Sequence, residues 1–299
     1  MAICEVCFRH CNLHEGQVGF CGARICRDGV VRADNYGRIT SLALDPIEKK
    51  PLARFMPGSM ILSVGSYGCN LRCPFCQNHE ISWSADAMAF RNRAEELTPD
   101  ELVAIALRYR PQGNVGLAFT YNEPLIGWEF VRDAAKLAHE AGLVNVLVTN
   151  GTASLPVLEE LAPHIDAMNI DLKGFTDHYY QDVLGGDLEM IQAFIRCAVQ
   201  TCHVELTTLI VPGENDSEEE MREMTEWIAG LEVESGAPAA YSAGSQAAIG
   251  APGAEIPLHI SRFFPRFHMQ DREATSVAWI YHLAEVARER LKWVYTGNC

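Results

Sequence analysis

From Met60 to the end of the 299-residue chain, short apolar segments alternate with longer amphipathic segments. The apolar segments have the length of buried strands, and the segments between them have helical periodicity. Parallel strands need a long crossover between them, and an α-helix is the usual one. The alternation therefore predicts an α/β fold with a parallel sheet.

The predicted strands and helices form six or seven βα units, whereas a complete (β/α)8 barrel needs eight. We therefore predict a partial (β/α), TIM-like barrel, with a flat doubly wound sheet as the alternative. A cap residue, Thr98, is followed by Pro99 and marks the start of one helix. The predicted strands are residues 60–68, 115–121, 143–150, 164–172, 204–211, 256–263 and 291–295. The predicted helices are residues 98–109, 124–141, 155–161, 190–199, a segment after 216, and 276–290.

Residues 1–59 differ in composition from the rest of the chain. They are rich in Cys, Gly and Arg and lack helical periodicity, so we predict a cysteine-rich N-terminal extension before a barrel of residues 60–299. Within the barrel, residues 235–254 consist almost entirely of Gly, Ala, Ser and Pro. We expect this stretch to be a flexible loop without a catalytic role.

Charge and hydropathy limit the kinds of partner. The net charge is −15 and the Lys/Arg runs are short, so binding to nucleic acid or to an anionic membrane is not expected. No segment approaches the length of a membrane span, and the N-terminus lacks the apolar core of a signal peptide. We therefore expect a cytoplasmic protein, in which clustered cysteines are ligands rather than disulfides. Of the 11 cysteines, Cys197, Cys202 and Cys299 stand apart from the clusters.

Residues 66–79 read SYGCNLRCPFCQNH and contain a C-x3-C-x2-C motif formed by Cys69, Cys73 and Cys76. The motif follows the first predicted strand, at the barrel mouth where active sites collect. Three thiolates can hold three irons of a [4Fe–4S] cluster and leave the fourth without a protein ligand. An open coordination position is typical of catalytic sites. The alternative is a zinc site that His79 or a distant residue completes.

A second group of cysteines lies near the N-terminus with the spacing C-x2-C-x3-C-x9-C. Four thiolates suffice for a closed zinc site or an auxiliary iron–sulfur cluster, and the spacing does not distinguish them. His10 or His14 could replace one ligand, and Cys26 is a spare. Free, reduced cysteines are the remaining alternative. The four candidate ligands are Cys4, Cys7, Cys11 and Cys21.

The segment GCNLRCPFC resembles the signature of the radical SAM superfamily, including the aromatic Phe75 before the last cysteine. The resemblance implies that the open iron binds the amino and carboxylate groups of S-adenosylmethionine (SAM). Reductive cleavage of SAM then gives a 5′-deoxyadenosyl radical that abstracts a hydrogen atom. It also implies an electron donor such as a flavodoxin or ferredoxin.

Five further stretches resemble the AmmeMemoRadiSam-system radical SAM proteins, which are relatives of pyruvate formate-lyase activating enzyme. They are residues 11–24, 35–52, 119–124, 171–175 and 259–265. The resemblance implies SAM-side roles for Phe75 in the cysteine motif and for side chains at the C-terminal ends of predicted strands. The latter are Asn122, Glu123, Asn150, Asp171, Lys173 and His259.

Five of these residues also have a purely structural interpretation. Glu123 can cap the helix that follows, and Asn150 can belong to an ordinary turn. Asp171 and Lys173 can form a salt bridge, and His259 can be a core histidine. Their common position at successive predicted strand ends favours the functional interpretation.

The sequence thus predicts a radical SAM enzyme with an unassigned substrate, which is either a small molecule or a protein. An activase that makes a glycyl radical on a partner protein is the first alternative, and it needs an open barrel mouth. A small-molecule enzyme needs a covered mouth, for which residues 1–59 are available. The alternative from another class is a non-catalytic zinc-binding protein that uses the barrel for partner binding.

Overall fold

The computed structural model describes residues 1–90, 93–233 and 253–299. Most of the Gly/Ala-rich stretch predicted at residues 235–254 lies outside the described residues, and its last two residues begin a 3-10 helix (Gly253–Glu255). In the described part of the chain the strands are β1 (Ala2–Ile3), β2 (Asn12–Leu13), β3 (Arg24–Arg27), β4 (Val30–Ala33), β5 (Arg38–Ile39), β6 (Ser41–Pro46), β7 (Met60–Gly65), β8 (Glu95–Glu96), β9 (Asn114–Phe119), β10 (Val144–Thr149), β11 (Ala167–Asp171), β12 (His203–Ile210), β13 (Leu258–Arg262) and β14 (Val294–Gly297).

Helices connect the strands of the main sheet, as the alternation predicts. A π-helical segment (Tyr179–Leu184) and a 3-10 turn (Pro124–Gly127) add to them. Within the described residues the α-helices are α1 (His79–Ser82), α2 (Ala85–Phe90), α3 (Pro99–Arg108), α4 (Trp128–Glu140), α5 (Leu155–Leu161), α6 (Leu188–Ala198), α7 (Glu218–Ala229) and α8 (Val277–Arg288).

The main sheet of the described residues has eight strands in the order β14-β13-β12-β11-β10-β9-β7-β6. The seven strands from β7 to β14 are parallel and follow one another in chain order. A doubly wound sheet reverses its strand order at a switch point, and this sheet does not. The predicted partial (β/α) barrel is therefore confirmed, and the flat doubly wound alternative is wrong.

Strand β6 comes from the segment predicted to be an N-terminal extension. It pairs antiparallel with β7 along its whole length, from Ser41 opposite Gly65 to Pro46 opposite Met60. The sheet thus continues across the boundary predicted at residue 59, and the division of the chain into two domains there stays a prediction.

The segment after β6 fills the barrel at the N-terminal ends of its strands. Ile47, Leu52 and Phe55 are buried there against Ile61 and Val144. Burying apolar side chains of this size stabilises the fold by roughly 1.5–3 kcal/mol each. We call residues 47–56 the plug, and it leaves the opposite end of the barrel for the cysteine loop.

A buried carboxylate fixes the plug to the barrel. Glu205 on β12 accepts hydrogen bonds from the backbone N–H groups of Ala53 (2.9 Å) and Arg54 (2.7 Å). It also pairs with His203 Nε2 (2.9 Å) and His259 Nε2 (2.6 Å). Burial alone would raise the pKa of Glu205, but the hydrogen bonds from the two histidines outweigh it and lower the pKa to about 2.

Helix α3 begins with the capping box that the sequence predicts. Thr98 accepts from the N–H of Glu101, and the Glu101 carboxylate accepts from the N–H of Thr98. Replacing Thr98 with alanine should lower the free energy of unfolding by about 1 kcal/mol, because one helix N–H loses its acceptor. Urea unfolding measures this, and an unchanged midpoint would contradict it.

Candidate active site

The three cysteines of the C-x3-C-x2-C motif lie on the loop that follows β7. Cys73 is buried, and Cys69 and Cys76 are half-buried. Burial raises the pKa of all three thiols, that of Cys73 to about 12. Glu123 and the neighbouring sulfurs raise the pKa of Cys69 further, and the Cys76 sulfur raises that of Cys73. Such thiols give up their protons when a cation binds, because it stabilises the thiolates.

Several polar groups around the loop suit an iron–sulfur cluster. The sulfur of Cys69 accepts from the N–H of Leu71 (3.4 Å) and from Asn150 Nδ2 (3.7 Å). The Tyr179 hydroxyl is buried near Cys73 and has no hydrogen-bond partner. Hydrogen bonds to cluster and cysteine sulfurs are a common feature of such sites. The donor set of this loop therefore fits a cluster held by three thiolates.

The zinc alternative for this loop assigned the fourth ligand to His79 or to a distant residue. The His79 ring stacks on Phe267, with 4.1 Å between ring centroids. Within the described residues, no three His, Cys, Asp or Glu side chains converge on a site for a single metal ion.

Glu123 lies just beyond β9 and is buried near Cys69. Its carboxylate accepts from the N–H of Leu125 (2.9 Å), from Thr149 Oγ1 (2.7 Å) and from the N–H of Asn150 (2.8 Å). Burial raises its pKa to about 7, although the three hydrogen bonds oppose the shift. Glu123 thus caps the following turn, as its structural interpretation has it, and also ties the ends of β9 and β10 together beside the cysteine loop.

Asn122 connects the end of β9 to the start of the cysteine loop. Its Oδ1 accepts from the N–H of Ser66 (2.9 Å), and its Nδ2 donates to the carbonyl of Gly68 (3.2 Å). The preceding Tyr121 has a positive φ of 73°, which is uncommon for a bulky residue. Gly65 makes room for it, since a Cβ at that position would lie 2.8 Å from the tyrosine ring.

Asp171 ends β11 and forms an ion pair with Lys173, with 2.7 Å between Oδ2 and Nζ. The salt bridge of their structural interpretation is therefore present. The pair also lies near Cys73 and Cys76. Burial would lower the pKa of Lys173, but Asp171 and the Cys73 sulfur raise it, so this ammonium stays charged.

The structure separates His259 from the other predicted residues. It lies near the start of β13, where it pairs with Glu205 and stacks on Tyr295 with 5.1 Å between ring centroids. The predicted position of His259 at the C-terminal end of its strand is therefore wrong, and its SAM-side role stays a prediction. Phe75 is buried and packs edge-on against Phe263, with 6.4 Å between ring centroids.

The N-terminal cysteines lie next to the same loop. Cys4, Cys7 and Cys21 are buried and Cys11 is half-buried. The four interact electrostatically, and burial raises the pKa of Cys4, Cys7 and Cys21, that of Cys21 to about 11. The carbonyl of Cys21 accepts a hydrogen bond from the N–H of Cys69 (3.1 Å). The backbones of the two segments that carry these thiols are therefore in direct contact.

Sequence reasoning missed Asn70, which lies between the two groups of thiols. It is buried, accepts from Asn150 Nδ2 (3.0 Å) and interacts with the sulfur of Cys7. The only sequence signal for Asn70 was its position inside the motif. The spacing of the cysteines does not single out a residue that lies between two of them.

Comparison with known proteins places the cysteine loop in a family. The sequence model of the radical SAM superfamily matches residues 63–227. The chain belongs to the radical SAM superfamily. Membership implies a [4Fe–4S] cluster and SAM, and it agrees with the partial barrel and with an enzymatic role. No helix of the described residues is long and apolar enough to cross a membrane.

Individual relatives cover the chain to different extents. An uncharacterised protein of Methanocaldococcus jannaschii is 37% identical over 298 residues, which are 99% of this chain and 80% of that protein. The pyruvate formate-lyase-activating enzyme of Clostridium pasteurianum is 30% identical over 54% of this chain and 66% of its own length. A radical SAM methyltransferase from Sphaerobacter thermophilus has the same fold, with a TM-score of 0.54, 18% identity, and coverage of 81% of this chain and 67% of its own.

Proposed function

We propose that the chain reductively cleaves SAM and uses the resulting radical to abstract a hydrogen atom from an unassigned substrate. The observation that carries the proposal is the meeting of three free cysteines with polar residues from the ends of β9, β10 and β11. A bound cluster would supply the electron and an open iron for SAM.

The residues around the loop have separate tasks in this proposal. Cys69, Cys73 and Cys76 hold the cluster, and Asn150 donates to the sulfur of Cys69. Asp171 and Lys173 offer one negative and one positive group near the cluster, which match the ammonium and carboxylate of methionine. Glu123 and Asn122 hold the loop and the strand ends in register.

The decisive experiment is an assay of 5′-deoxyadenosine with anaerobically reconstituted protein, SAM and dithionite. The proposal predicts 5′-deoxyadenosine and methionine in equal amounts. Absence of both, with zinc in the site of residues 69–76, would overturn it in favour of a zinc-binding interaction protein.

An activase of a glycyl-radical enzyme is the second candidate. The similarity to pyruvate formate-lyase-activating enzyme favours it, although that match covers only 54% of this chain. Appearance of a glycyl-radical doublet in the electron paramagnetic resonance (EPR) spectrum of a partner protein would support the activase over a small-molecule enzyme.

We further propose that Cys4, Cys7, Cys11 and Cys21 bind a metal, since their burial and electrostatic interaction suit thiolate ligands. The four side chains do not converge on one point in this structure, so the metal would draw them together as it binds. A variant with Cys69, Cys73 and Cys76 all replaced by alanine isolates this site. Residual iron with sulfide would assign an auxiliary cluster, residual zinc a structural ion, and neither metal would refute the proposal.

Replacing Asn150 with leucine should lower the reduction potential of the cluster. The variant removes an N–H donor that stabilises the added negative charge on the Cys69 sulfur. We expect a shift on the order of tens of millivolts, since about 59 mV is a tenfold change for one electron. EPR-monitored titration measures it, and an unchanged potential would contradict the role of Asn150.

A further inference from the structure

An aromatic ring from the N-terminal segment is held between two arginines. The centroid of the Phe20 ring lies 3.4 Å from the guanidinium carbon of Arg9 and 3.7 Å from that of Arg72. Such stacking is favourable because the faces of an aromatic ring are electronegative. Phe20 is nevertheless 40% exposed, so the three side chains form a surface that we call the Arg–Phe–Arg surface.

This surface rests directly on the cysteine loop. Arg72 Nη1 donates to the carbonyl of Cys69 (2.9 Å), and Arg9 Nε donates to the carbonyl of Asn70 (2.9 Å). Arg72 Nη2 also donates to the carbonyl of Phe20 (2.5 Å). A molecule in contact with Phe20 is therefore separated from a cluster ligand by a single side chain, that of Arg72.

Among the described residues, the two guanidiniums form hydrogen bonds with backbone groups only. These groups are carbonyls, and neither guanidinium forms an ion pair with a carboxylate of the described chain. Ion pairs with carboxylates are formed instead by Arg24, Arg27, Arg38, Arg132, Arg222, Arg272 and Arg288.

The net negative charge of the chain limits where an acidic partner can bind. The chain carries a net charge of −15, so an acidic partner is repelled by most of the surface. Two cations without carboxylate partners beside an exposed aromatic ring offer such a partner one attractive contact. Aromatic and arginine side chains are also the residues that dominate binding at protein interfaces.

We propose that the Arg–Phe–Arg surface docks an acidic electron-carrier protein with a flavin or iron–sulfur centre. The reduced carrier loses one electron, the cluster held by Cys69, Cys73 and Cys76 gains that electron, and no bond or proton is transferred. This assignment rests on the proposed function, which requires a reduced cluster. The electron enters at the Arg–Phe–Arg surface, and the carrier that delivers it is acidic.

The test uses reduced flavodoxin as the carrier and dithionite as a small reductant that needs no docking. Replacing Phe20 with glutamate puts a negative charge between the two arginines. The flavodoxin concentration that half-saturates 5′-deoxyadenosine formation should rise about tenfold or more, because the charge complementarity is lost. The rate with dithionite should stay within about twofold, since the cluster ligands are unchanged.

A matched control and a second variant complete the design. Tyr281 on α8 is an aromatic residue with 50% exposure, and Tyr281→Glu should leave the flavodoxin dependence unchanged. Phe20→Ala adds no charge and should weaken the dependence several-fold. Calorimetric titration of flavodoxin into the iron-loaded protein without SAM should show the same order of affinities, wild type above Phe20→Ala above Phe20→Glu.

Two failures are distinguishable. If wild-type protein forms no 5′-deoxyadenosine even with dithionite, the proposed function fails. If dithionite supports the reaction but both Phe20 variants bind and use flavodoxin like the wild type, the docking surface is wrong. Equal losses with both reductants in the Phe20 variants would assign Phe20 to the stability of the cluster site and would also overturn the docking proposal.

Discussion

Replacing Cys76 with alanine is expected to abolish the reductive cleavage of SAM. Cys69 and Cys73 would remain as two thiolates on the loop, and two thiolates cannot hold three irons of the cluster. The loop itself should keep its fold, because its contacts with β9 run through Asn122 and those with the N-terminal segment through Cys21. The measurements are 5′-deoxyadenosine by chromatography and the iron and sulfide content of the reconstituted protein.

Cys197 provides the matched control for this experiment. It is a half-buried thiol on α6 and has no place in the proposed site. The Cys197→Ala protein should bind iron and cleave SAM like the wild type. Any metal of the N-terminal cysteines should persist in the Cys76→Ala protein. Full 5′-deoxyadenosine formation by that protein would refute the assignment of the cluster to Cys69, Cys73 and Cys76.

Replacing Glu205 with glutamine is expected to lower the free energy of unfolding by about 3 kcal/mol at pH 7, which is more than the loss expected for Thr98→Ala. The carboxylate holds two plug N–H groups and two histidines at once. Glutamine keeps one acceptor oxygen, but its NH2 group can only donate. This NH2 group would face groups that are themselves donors, such as a backbone N–H of the plug. Urea unfolding of wild type and variant measures the difference. Asp182→Asn, which breaks an exposed pair with His178, is the control and should cost less than about 1 kcal/mol.

The pKa of Glu205 predicts how the free energy of unfolding depends on pH. The folded pKa of Glu205, about 2, lies below the ordinary value of a glutamate. Its contribution is therefore complete above the unfolded pKa of about 4.3 and is lost as the pH falls towards 2. The stability difference between wild type and Glu205→Gln should shrink across this interval. A difference that stays constant from pH 6 to pH 3 would contradict the ionised state of Glu205.

Local sequence pattern was sufficient to predict the strands and helices of the parallel sheet and the loop that carries the three cysteines. The strands of the parallel sheet were predictable because each is a short apolar run followed by a helical period, and both signals lie within a few residues. The common loop of Cys69, Cys73 and Cys76 was predictable for the same reason, and their role as cluster ligands stays a prediction. The ends of β9, β10 and β11 then had to meet, because parallel strands in chain order present their carboxyl ends at one edge.

Contacts between distant parts of the chain were decided only by the tertiary structure. His259 showed an ordinary strand pattern, and its pairing with Glu205 joins positions 54 residues apart. The plug, the antiparallel strand β6 and the packing of the N-terminal cysteines on the cysteine loop are of the same kind.

The sequence by itself thus determined the alternation of elements, the parallel order and the loop that carries the three proposed cluster ligands. The tertiary structure alone decided which buried groups share a hydrogen bond: Glu205 with the plug, Asn150 with Cys69, and Arg9 with the loop at Asn70. The physical reason is that periodicity records which face of an element is buried, whereas the partner of a buried polar group depends on which elements pack together.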